Sequence, residues 1–154
     1  MPSQLLTTLR TKEDLDILRG ELDILKNALY QSRNMYEDVI HNSIRSWVSE
    51  IILKETNRET MEDYIKDLEA ELLKLPVLSA SINFEPSQTF VELLSNWLKK
   101  YVSENIVVDI LLNTASIGGI QLSYKGKYLD LSLRKRISAE LESFSLTHIS
   151  NIKS

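Results

Sequence analysis

The sequence predicts an α+β protein. A long N-terminal helical hairpin of coiled-coil type (1–75) is followed by a small β-α-β-β-β-α domain (76–146) and a flexible tail (147–154). Three observations carry this. From Thr11 to Lys54 there is no Pro and a single Gly, Gly20. Leu15, Leu18, Leu22, Leu25 and Leu29 recur at spacings of 3, 4, 3 and 4, an a/d heptad seam. After Pro76 the pattern changes to short β-type runs around one amphipathic helix.

The first helix starts after Thr11, a capping residue, and Glu13 and Asp14 suit the positive end of its dipole. In the heptad frame Asp14 and Glu21 fall at g, and Arg19 and Lys26 at e. That charge pattern pairs across a parallel dimer seam. Ile17 and Ile24 at c widen the apolar face, and beyond Leu29 the frame degrades, with Ser32 and Ser43 at seam positions. A new stripe follows at Ile40, Ile44, Trp47 and Ile51. The seam has two uses: folding back on its own chain, or receiving a partner helix through Leu15, Leu18, Leu22, Leu25 and Leu29. A break at Thr56–Arg58 precedes a second helix over 59–75, with Met61, Tyr64, Ile65, Leu68, Leu72 and Leu75 on one face. Pro76 ends it.

In the second half Val77 to Ile82 alternates as a strand. Pro86 suits the first turn of a helix that runs to about Val102, with Phe90, Leu93, Leu94, Trp97, Leu98 and Tyr101 on one side. Ile106 to Leu112 is apolar and β-branched and reads as a central strand. Ile117 to Tyr124 and Lys127 to Asp130 form two further strands around a Lys125-Gly126 turn. A last helix starts near Leu131 or Ser132, capped by Asp130 or Ser132.

Composition narrows the function classes. The net charge of −4 lacks the basic stripe of a nucleic-acid binder. There is no Cys, so disulfides and thiolate zinc sites are excluded. No apolar run approaches the roughly 20 residues that span a bilayer, and the N-terminal Met-Pro-Ser-Gln-Leu-Leu-Thr lacks the marks of a signal peptide. Gly119 and Gly126-Lys127 do not have Walker A spacing. His41 and His148 have no acid at ligand spacing, and no nucleophile elbow organises Ser, His and Asp. The basic run Arg134, Lys135 and Arg136 reads as a solvated helix face. The expectation is a non-enzyme with no cofactor and no metal.

Ser116-Ile117-Gly118-Gly119-Ile120-Gln121-Leu122-Ser123-Tyr124 is followed by Gly126-Lys127-Tyr128-Leu129-Asp130-Leu131-Ser132-Leu133-Arg134. An apolar residue and a Gly pair open a strand; a turn leads to a second strand; an Asp-x-Ser-apolar-basic pattern starts a helix. This resembles the C-terminal domain of the F-type ATP synthase delta subunit, OSCP in mitochondria, over about Val77 to Leu141. The matching residues are Ile117, Gly118, Gly119, Asp130, Ser132 and Arg134, all structural. Asn113-Thr114-Ala115-Ser116 stands where the family has an Asp before the Gly pair.

The resemblance implies a peripheral-stalk (stator) subunit that links the catalytic head to the stalk and couples proton transport to ATP synthesis. Its partners would be the alpha/beta head and a b-type stalk helix. It would sit on the cytoplasmic face of the energy-coupling membrane and reach that membrane only through the complex. The family's N-terminal domain is a compact six-helix bundle, whereas the first 75 residues here read as one long helix and a shorter one. A long helix before a small α/β domain is similar to the E-type stalk proteins of V-type and archaeal ATPases, the alternative family. An unrelated coiled-coil adaptor, dimeric through the leucine seam, is the alternative outside rotary ATPases.

Overall fold

The computed structural model describes residues 3–113 and 120–131, the last four of these by their backbone. The protein is α+β. It divides into two compact units: one holds the chain up to Leu9 and Asp14–Lys74, the other holds Arg10–Glu13 and the chain from Leu75 onward.

The first unit is helical throughout, but the long helix expected from Thr11 to Lys54 is broken into pieces. α1 (Gln4–Thr8) is capped by Ser3, whose side chain accepts from the Leu5 N–H. α2 (Lys12–Leu29) starts directly after Thr11 and carries the leucine seam. The chain then leaves the helix, and Ser32 caps α3 (Arg33–Asp38) by accepting from the Met35 N–H. Five residues of π-helix, Val39–Ser43, continue it. Ile44 and Arg45 are extended, and α4 (Ser46–Glu55) begins anew. No Pro or Gly marks either break. Side chains hold the second one: Ser49 Oγ donates to the Ile40 carbonyl, and the Arg45 main-chain N–H donates to Glu21 Oε1 at 2.8 Å.

After α4 the Asn57 side chain accepts from the N–H and the hydroxyl of Thr60, a local turn that launches α5 (Met61–Leu73). Of the expected stripe, Met61, Ile65, Leu68 and Leu72 are buried, while Tyr64 is half-buried and Leu75, also half-buried, lies beyond the helix end. Leu5, Leu6, Leu9, Leu18, Leu22, Ile40 and Ile52 are other large buried side chains of this unit. Most of its helices are shorter than the length at which an isolated helix is even marginal, so its stability rests on this burial.

The second unit runs β1 (Val77–Ile82), α6 (Gln88–Tyr101), β2 (Val107–Leu112), β3 (Ile120–Tyr124) and β4 (Lys127–Leu131). That is the expected order as far as Leu131; the expected last helix and Ile117–Gly119 lie outside the described residues. α6 starts after Ser87, which accepts from the Phe90 N–H, so Pro86 precedes the cap instead of entering the first turn. β1 and β2 are parallel and joined through α6, while β3 is antiparallel to both β1 and β4. The strand order is β2-β1-β3-β4. Leu78, Ala80, Ile82, Val108, Ile120 and Leu122 of the sheet form one core with Leu94, Trp97 and Leu98 of α6.

The order corrects one expectation: among the described strands β2 lies at an edge of the sheet, not at its centre. Its first residues are buried, and Leu111 and Leu112 at its end are 49% and 54% exposed. An apolar run cannot distinguish a strand buried between neighbours from one covered over only part of its length.

Candidate interaction surfaces

α2 presents two apolar stripes. The seam residues Leu15, Leu18, Leu22 and Leu25 are 0–3% exposed in the single chain, and Leu29 is half-buried. A partner helix cannot reach them while the unit is folded; the seam is spent on the chain's own core. The charges flanking it agree. Glu21, expected to pair across a dimer, accepts from Arg45 Nε at 3.0 Å and Arg45 Nη2 at 3.0 Å. Asp14 Oδ1 lies 3.6 Å from Arg45 Nη1. Lys26 Nζ lies 3.0 Å from Glu69 Oε2 of α5, and Arg19 pairs with Asp16 on its own helix. All four g and e charges therefore have partners within the chain. The second stripe stays open, with Ile17 and Ile24 at 43% and 45% exposure.

A polar cluster that the sequence pattern does not announce ties three helices of the first unit together. Glu55, at the end of α4, accepts from the Ser3 hydroxyl at 2.5 Å, the Gln4 N–H at 2.7 Å and the Tyr64 hydroxyl at 2.6 Å. Burial alone would raise the Glu55 pKa, but the Ser3, Tyr64 and Gln4 hydrogen bonds outweigh it and hold the carboxyl below its ordinary 4.5. Tyr64 moves the opposite way, raised first by burial and then by its bond to Glu55. The residues lie 52 and 9 positions apart, a separation no periodicity reveals. The cluster borders a groove of about 750 Å³ lined in part by Leu6, Asp67, Leu68 and Lys74.

In the second unit a groove of about 300 Å³ runs beside the outer edge of β2. Val91, Ile110 and Leu112 supply its apolar wall, and Glu13, Glu85 and Asp109 its carboxylates. Arg10 and Thr11 touch the same edge: the Val108 N–H donates to the Arg10 carbonyl at 3.0 Å, and Thr11 pairs in parallel with Val108. Nothing in the sequence pattern places that segment against the sheet.

The motif behind the family resemblance is described in part. Ile120–Tyr124 and Lys127–Leu131 form the hairpin, and Lys125 and Gly126 turn it with positive φ at both positions. Asp130 lies within β4 opposite Gln121, and the strand extends to Leu131, which corrects the expectation of a helix start at Leu131 capped by Asp130: both residues are taken up in pairing with β3. Ile117, Gly118, Gly119, Ser132 and Arg134 lie outside the described residues.

Trp97 is a core residue, while Trp47 is half-buried beneath the Arg45 guanidinium, 4.9 Å from its ring centre. His41 is exposed, 3.5 Å from Glu37. Among the described residues no three His, Cys, Asp or Glu side chains gather as metal ligands, and no helix is long and apolar enough to cross a membrane. Comparison of the sequence with protein-family models and with curated proteins gives no match.

Proposed function

We propose that this chain is a non-catalytic stator subunit of a rotary F-type ATP synthase, similar to the delta subunit. It links the catalytic head to the peripheral stalk on the cytoplasmic face of the energy-coupling membrane. Its work is adhesion: holding the head still against rotor torque so that proton transport drives ATP synthesis. The observation that carries this is the stretch from Ser116 to Arg134, whose Gly pair, hairpin turn and Asp-x-Ser-basic pattern resemble the delta C-terminal domain.

One structural observation favours the delta-like reading over the E-type alternative. The E-type reading needs one long N-terminal helix, and the first half is instead a compact unit of several helices, of which α2 has 18 residues. A compact helical unit ahead of the motif-bearing domain is the organisation the delta resemblance implies, with the helical unit toward the head. The stalk contact is reassigned accordingly. A stalk helix resting on α2 meets Ile17 and Ile24, not the buried leucines.

The test is a pull-down with the full chain from membranes opened in mild detergent. Recovery of ATPase alpha, beta and b-type subunits supports the reading; recovery of none of them sinks it.

A further inference from the structure

A strand at the edge of a sheet offers a row of main-chain donors and acceptors, and proteins commonly blunt it with Lys, Pro, a bulge or a covering segment. β2 is an edge strand whose sequence, Val107-Val108-Asp109-Ile110-Leu111-Leu112, contains neither Lys nor Pro. Its main-chain groups alternate in direction. The Val107 and Asn113 N–H groups donate inward, to Pro76 and Ile82, while the Val108 N–H donates outward, to Arg10. By that period the N–H groups of Ile110 and Leu112 point outward. No described residue accepts from them.

Among the described residues the edge is thus used once and then left. Thr11 pairs with Val108, and the chain turns away into α2 at Lys12. Beyond that point lie exposed Leu111 and Leu112 and the groove along the edge. Glu13, Glu85 and Asp109 border the groove, and none is ion-paired among the described residues.

We propose that the open edge of β2 from Ile110 to Leu112 is a docking site for an extended segment of a partner protein, one that alternates apolar and basic side chains and adds to the sheet as a fifth strand. The outward N–H and C=O groups supply the pairing, and the groove takes an apolar side chain of the incoming strand. The three carboxylates choose the partner's charge. They also argue against a second copy of this chain, because edge-to-edge pairing would set the same acids against each other. The inference stands apart from the stator reading: a partner strand can come from any complex.

The experiment uses the full chain and a fluorescent peptide, acetyl-Lys-Val-Lys-Val-Lys-Ile-Lys, followed by anisotropy and by amide exchange in nuclear magnetic resonance. Binding is expected to saturate and to slow exchange of the Ile110 and Leu112 amides at least about tenfold. A peptide with Glu in place of Lys should bind at least about tenfold more weakly. A peptide N-methylated at every residue, so that neither of its edges can donate, should not bind. Leu112→Pro removes an outward N–H that bonds nothing described, so it should keep the far-ultraviolet spectrum and lose the peptide.

Four results would overturn the proposal: no binding of the Lys peptide; equal binding of the N-methylated peptide; Ile110 and Leu112 amides already protected in the free monomer, which would mean that the chain covers its own edge; or a concentration-dependent dimer abolished by Leu112→Pro, which would mean a second copy. The N-methylated peptide keeps the test decisive even if Leu112→Pro fails to fold.

Discussion

Arg45 donates to Glu21 from both its main chain and its guanidinium, at 2.8 Å from N and 3.0 Å from Nε. One acceptor thereby fixes the backbone where π-helix gives way to α4 and neutralises the charge beside it. Glu21 is only 7% exposed. Breaking a buried pair from one side leaves the other group without compensation. Glu21→Ala should lower unfolding free energy by about 2–3 kcal/mol. Glu21→Gln should cost roughly half as much, because its amide oxygen still accepts from the Arg45 N–H. Urea unfolding of the two variants checks the order; equal costs would mean that the main-chain bond contributes nothing.

Leu22 tests where the seam is used. Its side chain is fully buried in the single chain. Leu22→Ala should therefore destabilise by about 2–5 kcal/mol and leave the sedimentation coefficient of the folded protein unchanged. A seam shared between chains would instead convert a dimer to a monomer, and sedimentation velocity separates the two outcomes.

The Glu55–Tyr64 hydrogen bond gives stability a limit at both ends of the pH scale. Glu55 has a depressed folded pKa, so its contribution is present above its ordinary value of 4.5 and is lost as pH falls through the folded value. Tyr64 has a raised pKa, so its contribution is full below its ordinary 10.0 and declines as pH rises above that. Tyr64→Phe should flatten the alkaline decline. It should also weaken the acid decline, since Glu55 loses a donor. Thermal melts between acid and alkaline pH read both limbs, and an unaltered acid limb would disprove the coupling.

At the β3–β4 turn, Lys125 has φ of 50° and Gly126 has φ of 75°. Both central positions of this tight hairpin need a left-handed backbone, which Asn tolerates better than Lys. Lys125→Asn should stabilise by about 0.5–1 kcal/mol, and Gly126→Ala should cost about 1 kcal/mol, although an added Cβ would point into open space. Denaturant midpoints of the two variants should move in opposite directions.

These elements also show how much of the fold is legible in the sequence. At several places where a pattern and a boundary residue coincide, the element stands close to where expected: α5 before Pro76, β1 with its alternation, and the turn at Lys125-Gly126. The first half misleads because an unbroken run of helix-compatible residues says nothing about tertiary breaks. The turn into α3 has a faint local signal in Ser32, a capping residue. The break at Ile44–Arg45 shows no such signal: the groups that hold it include Glu21, 24 residues away. The seam is legible as apolar, but a heptad does not say whether the covering helix belongs to the same chain. The open edge of β2 is hidden for a related reason: strand order is a property of pairing between distant segments. The groove carboxylates Glu13, Glu85 and Asp109 come from three separate stretches of chain.

The short excursion of Arg10–Glu13 into the second unit bears on how the protein can be taken apart. The chain passes from one unit to the other after Leu9, returns after Glu13, and passes again after Lys74. No single cut divides it into two whole pieces. A fragment beginning at Leu75 would lack Thr11 and bare the β2 edge at Val108 as well, adding length to a sticky apolar strand. Proteolytic nicking at that boundary should therefore leave two halves that remain associated, and dissection by truncation would report on an incomplete sheet.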